Sequence, residues 1–130
     1  MKKLFGIVMA FMGITAAALA AGEYPGISRD ELKQAIANKS VMLLDANGSV
    51  SFKAGHIPGA IDYAVSKDHL ADLLPADKQA LIVAYCGGEK CMAYKAAAEA
   101  AEKLGYTNVK HFAPGISGWR SSGEKIEPGS

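Results

Sequence analysis

The sequence has little charge of either sign to spare. Its 14 Lys and Arg residues stand against 13 Asp and Glu, a net charge of +1 over 130 residues. No basic stripe and no acidic tail interrupts the interleaved charges, so nucleic acid is not an expected partner. There is no internal repeat, no second domain and no long linker, and the length is that of one domain. Cysteine is scarce, Cys86 and Cys91 being the two present. They allow at most one intrachain disulfide, and a domain of this size can bury its core without such staples. Long hydrophobic runs are lacking as well, with one exception at the start.

That exception begins after Lys2 and Lys3. An uncharged run from Leu4 to Ala21 follows and closes on Ala18-Leu19-Ala20, with small residues where a signal peptidase reads. This is the layout of a secretory signal peptide. The expectation is a leader over residues 1–20, cleaved after Ala20, and a single domain over residues 21–130. The alternative is an uncleaved membrane anchor, but a run of 18 uncharged residues is barely enough for the roughly 20 that span a bilayer, and Gly and Ala dilute it. No cysteine ends the run, which argues against a lipoprotein. The signal is bacterial in style, so a periplasmic or secreted protein is expected, touching the membrane through its leader only. Without Lys2 and Lys3, 12 basic residues face 13 acidic ones, a net charge near −1.

Periodicity divides the rest into alternating elements. Ser28 and Glu31 form a capping box ahead of Leu32, Ala35 and Ile36, predicting a helix over residues 29–37. Val41-Met42-Leu43-Leu44 is a continuous apolar run, as in a strand buried on both faces, with Asp45 at its carboxyl end. Residues 60–65 read as a strand, 67–74 as a modest helix stopped by Pro75, and 80–85 as the clearest strand. An Ala-rich helix is expected from Met92 to Leu104, ended by Gly105. One more strand follows at residues 108–112, then a short turn of helix around Trp119. Strands alternating with helices predict an α/β domain with a mainly parallel sheet.

Cys86 follows the clearest strand directly and precedes a helix. Ligands of α/β sheets bind at that edge. Backbone N–H groups of residues 87–92 and the helix dipole favour negative charge there, which would draw the thiol below its free pKa of roughly 8.5. Gly87 and Gly88 let the chain curl tightly around the sulfur. Lys90 adds a positive charge that Glu89 partly opposes. A structural reading of Cys86 as a small buried hydrophobe accounts for neither the glycines nor the position.

Four segments resemble the rhodanese family, in order along the chain. They are Val41-Met42-Leu43-Leu44-Asp45, then Gly55-His56-Ile57-Pro58-Gly59-Ala60-Ile61, then Tyr85-Cys86, and finally Pro114-Gly115-Ile116-Ser117-Gly118-Trp119. The resemblance implies a five-stranded, mainly parallel sheet with helices on both faces. It implies a sulfurtransferase in which Cys86 carries sulfane sulfur as a persulfide, from a thiosulfate- or polysulfide-type donor to a thiophilic acceptor. That acceptor would be a small thiol, cyanide or a protein cysteine. No cofactor and no metal is implied, and one small domain without an obvious apolar patch suggests a monomer.

The chain departs from the family pattern in two places. Relatives commonly read Asp-Val-Arg where this chain has Asp45-Ala46-Asn47, and Ser51 stands where a Glu is usual. Asp45 remains, with the expected role of holding the Cys86 loop through its N–H groups. The loop itself reads Cys86-Gly87-Gly88-Glu89-Lys90-Cys91-Met92, with no arginine and about two residues more than usual. The missing arginine removes a bidentate grip on an anion such as thiosulfate and argues against a cysteine phosphatase.

Cys91 leaves three readings open: a buried residue opening the helix, a resolving thiol that forms a disulfide with Cys86, or a soft-metal ligand with Cys86 and Met92. His56 is expected to organise its loop rather than act as a base. His69 reads as a solvated helix residue and His111 as a strand-edge one. Lys90 and Tyr94 are the candidates for substrate contact. Two further functions compete with sulfur transfer: a dithiol–disulfide oxidoreductase using Cys86 and Cys91, and a non-catalytic binding module.

Overall fold

The computed structural model describes residues 24–129, and the expected leader lies outside them. Helix α1 spans Arg29–Ala37, strand β1 Val41–Asp45 and helix α2 Ser49–Ala54. Strand β2 is Ile61–Asp62, followed at once by α3, Tyr63–Ser66. A 3-10 turn over Lys67–His69 leads into α4, Leu70–Leu73. Strand β3 spans Leu81–Tyr85, α5 Tyr94–Lys103, β4 Val109–His111 and α6 Gly115–Ser121.

Local chemistry explains most of these boundaries. Ser28 Oγ accepts the Glu31 N–H at 3.1 Å and donates to the Glu31 carboxylate, closing the cap of α1. Helix α2 went unread in the sequence because Gly48 caps it without a side chain and Phe52 alone is buried along it. The strand expected over residues 60–65 ends at Asp62, whose carboxylate accepts the Ala64 N–H at 3.1 Å and starts a helix instead. Helix α5 begins at Tyr94, later than the expected Met92, so Cys91 lies in the loop before it.

The strands are all parallel, in the order β2-β1-β3-β4. The sheet therefore has four strands rather than the five expected. Where a fifth would lie beside β4, the chain makes a single bridge, Gly26 to His111. Pro25 accepts the His111 N–H through its carbonyl at 2.8 Å, and Ile27 donates to the His111 carbonyl at 3.0 Å. Pro25 has no N–H to extend a ladder, so the pairing stops there.

Alternation along the strands distributes two cores. Leu44, Ile82, Ala84 and Val109 point to the face covered by α4 and α5. Leu43, Val83, Tyr85 and Phe112 point to the face covered by α1, α2 and α6. The small side chains of Ala97, Ala98 and Ala101 are fully buried and bring α5 close to the sheet. Trp119 is buried edge-on against Phe112, at 5.9 Å between ring centroids, and its Nε1 donates to the Lys125 carbonyl. The segment after α6 is docked, not loose: His56 and Glu127 exchange two backbone hydrogen bonds of 2.9 Å. No helix among the described residues is long and apolar enough to cross a membrane.

Candidate active site

Cys86 stands one residue beyond the carboxyl end of β3 and is 1 % exposed. Its side chain joins the core under α5, on the face opposite that of Tyr85. Two main-chain bonds fix the start of the loop. The Cys86 carbonyl accepts the Ile116 N–H at 2.9 Å, and the Gly87 carbonyl accepts the Ser117 N–H at 3.0 Å. The Pro-Gly-Ile-Ser-Gly-Trp segment is therefore the floor of the site. Gly115 makes the contact possible, with φ +60° and its α-carbon against the loop backbone. A Cβ there would overlap the Cys86 carbonyl oxygen and lie 2.7 Å from the Gly88 nitrogen. Only glycine fits.

The loop turns at Gly88, whose carbonyl accepts the Cys91 N–H at 3.1 Å. This turn brings Cys91 back beside Cys86, and the two are joined as a disulfide, with Cα atoms 6.2 Å apart. The N–H groups of Gly87, Gly88, Glu89 and Lys90 have no backbone acceptor among the described residues. Glu89, Lys90 and Met92 are exposed on the outer rim, Met92 at 56 %.

Tyr94 is placed otherwise than a substrate contact requires. It is buried in the core and stacked on His111, with ring centroids 3.4 Å apart. Burial holds the His111 imidazole below its usual pKa. Lys90 is thus the exposed member of the two substrate-contact candidates.

Asp45 supports the site by a different route from the expected one. It is fully buried on the face opposite the Cys86 side chain, and loop N–H groups are not its partners. Its Oδ1 accepts the Asn47 N–H at 2.8 Å, and its Oδ2 accepts the Tyr85 hydroxyl at 2.8 Å. The Tyr85 oxygen in turn accepts the Ile57 N–H at 3.0 Å. Burial, the largest influence, pushes the Asp45 carboxyl up, although both hydrogen bonds pull it down. Burial beside that carboxyl also pushes the Tyr85 phenol up.

His56 is an organiser of its loop. Nδ1 donates to the Phe52 carbonyl at 2.9 Å, the ring stacks on Phe52, and Nε2 faces Glu127 at 3.9 Å. Sequence reasoning missed three residues. Tyr85 is the anchor described above, and Asn47 packs against Gly87 with a buried amide nitrogen that has no partner among the described residues. Lys67 lines a groove of about 310 Å³ with Ala46, Gly48, Tyr63 and Ala93, on the same sheet edge as the loop. The departure from Asp-Val-Arg marked Asn47 in the sequence; nothing marked Lys67. No group of three or more His, Cys, Asp or Glu among the described residues could hold a metal ion.

Comparison with known proteins agrees with this geometry. The rhodanese-like domain family matches residues 28–122. An HTH-type transcriptional regulator of Mycobacterium tuberculosis is 32 % identical over 124 residues, 94 % of this chain and 53 % of the regulator. The chain therefore spans about half the length of that relative. A thiosulfate sulfurtransferase of Pseudomonas aeruginosa superposes with a TM-score of 0.64 at 23 % identity, over 82 % of this chain and 21 % of that one. The human single-domain sulfurtransferase gives 0.60 at 23 %, over 76 % and 97 %. These structures share the fold. On its sequence match and its fold, the chain belongs to the rhodanese-like domain family.

Proposed function

We propose that this domain is a sulfurtransferase that moves sulfane sulfur through a Cys86 persulfide. One observation carries the reading: Cys86 is held at the carboxyl edge of the sheet, at the start of a loop whose N–H groups at residues 87–90 have no backbone acceptor among the described residues. With the disulfide reduced, the Cys86 thiolate attacks the outer sulfur of a polysulfide- or thiosulfate-type donor. The donor S–S bond breaks, and the remainder leaves with the electron pair as an anion. The new persulfide is itself anionic and is stabilised by the same N–H groups. A thiol of a small molecule or a protein then takes the outer sulfur, and the bonding pair returns to Cys86. Lys90 on the rim and Lys67 in the adjoining groove supply positive charge for the anionic donor. No arginine grips the anion, so a polysulfide fits better than thiosulfate, whose sulfonate would need that fork. The protein would act as an exported monomer in a periplasm or outside the cell.

The Cys86–Cys91 disulfide favours one second reading, dithiol–disulfide exchange without sulfur uptake. Intact-mass measurement separates the two. The reduced Cys91→Ser protein should gain about 32 Da per sulfur atom from polysulfide, lose it to cyanide, and gain nothing when Cys86 is replaced by Ser as well. Failure of every sulfane donor to add mass, even when Cys91 is replaced by Ser, would overturn sulfur transfer.

A further inference from the structure

We infer that Cys91 discharges the sulfur that Cys86 takes up, so that the pair reduces sulfane sulfur to hydrosulfide and an external dithiol resets it. The inference rests on the sulfur-transfer reading above and assigns the fate of the transferred atom. The geometry of the loop argues for it. Cys86 and Cys91 are five residues apart, their Cα atoms 6.2 Å from each other, inside the span of roughly 4.4–6.8 Å that disulfides occupy. Cys91 precedes α5 by three positions, so its thiol swings toward or away from Cys86 without unwinding that helix. Cys86 is fixed by the bonds of its own carbonyl and of Gly87 to α6.

A persulfide on Cys86 presents two sulfurs to Cys91. Attack on the outer one, about 2 Å farther out, would move the sulfur onto Cys91 and leave its oxidation state unchanged. Attack on Cys86 Sγ makes the bond seen in the structure. The persulfide S–S bond then breaks, and the outer sulfur leaves with its electron pair as hydrosulfide, taking up the proton that Cys91 gave. The two cysteines together lose two electrons, and the sulfur atom gains them.

The disulfide that remains is asymmetric. In this disulfide form Cys86 is 1 % exposed and shielded from an incoming thiol, while Cys91 is partly exposed beside the exposed Met92. An external dithiol therefore attacks Cys91 Sγ. Cys86 leaves as a thiolate, and the N–H groups of residues 87–90, which have no backbone acceptor among the described residues, favour that anion as the leaving group. The second thiol of the reductant closes its own disulfide and frees Cys91. Sulfur enters through Cys86 and electrons through Cys91.

The test uses the whole domain, reduced, desalted and treated anaerobically with a small molar excess of polysulfide. The wild type should pass briefly through a form heavier by about 32 Da and settle about 2 Da below the dithiol. One hydrosulfide should appear per chain, counted against a polysulfide blank. The Cys91→Ser and Cys91→Ala proteins should hold the added sulfur and release none. A wild type that retains its persulfide as long as these variants overturns the inference and leaves sulfur transfer standing. Absence of the adduct from the wild type and both variants overturns both. A second measurement checks the direction of reset: the disulfide form is treated with 2-mercaptoethanol, alkylated and cleaved after Lys90, which separates the two cysteines. The mixed disulfide should lie on Cys91; finding it on Cys86 overturns the assigned route for electrons.

Discussion

Tyr85 donates its phenol hydrogen to Asp45 at 2.8 Å and receives the Ile57 N–H at 3.0 Å, joining three segments behind the active loop. The pair sits on the opposite face of the sheet from the Cys86 sulfur, yet Tyr85 is the residue immediately before it. Its hydroxyl ties the end of β3 to the end of β1 and to the Gly-His-Ile-Pro-Gly turn. The backbone adds a further tie, since Ala46 N–H donates to the Tyr85 carbonyl at 2.9 Å.

Removing that hydroxyl should be costly. Tyr85→Phe leaves a buried carboxylate oxygen without its donor and a buried N–H without its acceptor. The expected loss is about 3 kcal/mol of stability, at 1–3 kcal/mol for each unsatisfied group. Urea unfolding of the two proteins measures it. A difference under about 0.5 kcal/mol would mean that water or a neighbour satisfies both groups.

The buried carboxyl of Asp45 makes a prediction with a definite sign. Burial raises its pKa in the folded state above the ordinary 3.8. The unfolded state therefore gives up this proton first as pH rises. Folding is favoured by this group below pH 3.8, and the advantage is lost as pH climbs through the raised value. The neutral Asp45→Asn protein lacks this dependence, while the other carboxyls cancel in the comparison. The stability of wild type relative to the variant should fall from pH 3 to pH 7. A relative stability that rises over that range would show the carboxylate to be held below its ordinary pKa.

Gly115 and Gly59 form a matched pair for separating strain from collision. Both have positive φ, +60° and +84°, but a Cβ on Gly59 meets nothing within 4 Å. Gly59→Ala should cost about 1 kcal/mol, the left-handed penalty alone. Gly115→Ala adds overlap with the backbone of residues 86–88 and should cost about 3 kcal/mol. It should also slow sulfur uptake by about tenfold or more, because the loop must shift to make room. Uptake is read by mass after a timed exposure to polysulfide. Equal effects of the two substitutions on stability and uptake would mean that α6 yields in place of the loop.

Much of this arrangement was legible in the residues. The apolar runs at 41–44 and 80–85 read as buried strands because parallel strands covered on both faces need apolar side chains at every position. The capping box at Ser28 and Glu31 marked the start of α1 for the same local reason that it forms there. What escaped depended on distance in space. Helix α2 has one buried residue and no periodic face. The missing fifth strand is a matter of Pro25 meeting His111, 86 positions later. Asp45 was recognised as a supporting residue, but its partner is Tyr85 on the neighbouring strand, and only the register Asp45–Tyr85 brings them together. Cys86 stood out through its neighbours in sequence, whereas the burial of Tyr94 depends on the His111 ring beneath it.

The two main-chain bonds from Ile116 and Ser117 to the Cys86 and Gly87 carbonyls have a consequence for how such a protein diversifies. They make no use of any side chain in the loop. Glu89, Lys90 and Met92 are exposed and make no side-chain hydrogen bond or ion pair among the described residues, so the segment behaves as an interchangeable cassette clipped to a fixed frame. Selection can rewrite its length, charge and thiol content while the foundation behind Tyr85 stays as it is. A loop without arginine and with a second cysteine at residue 91 is one such rewriting.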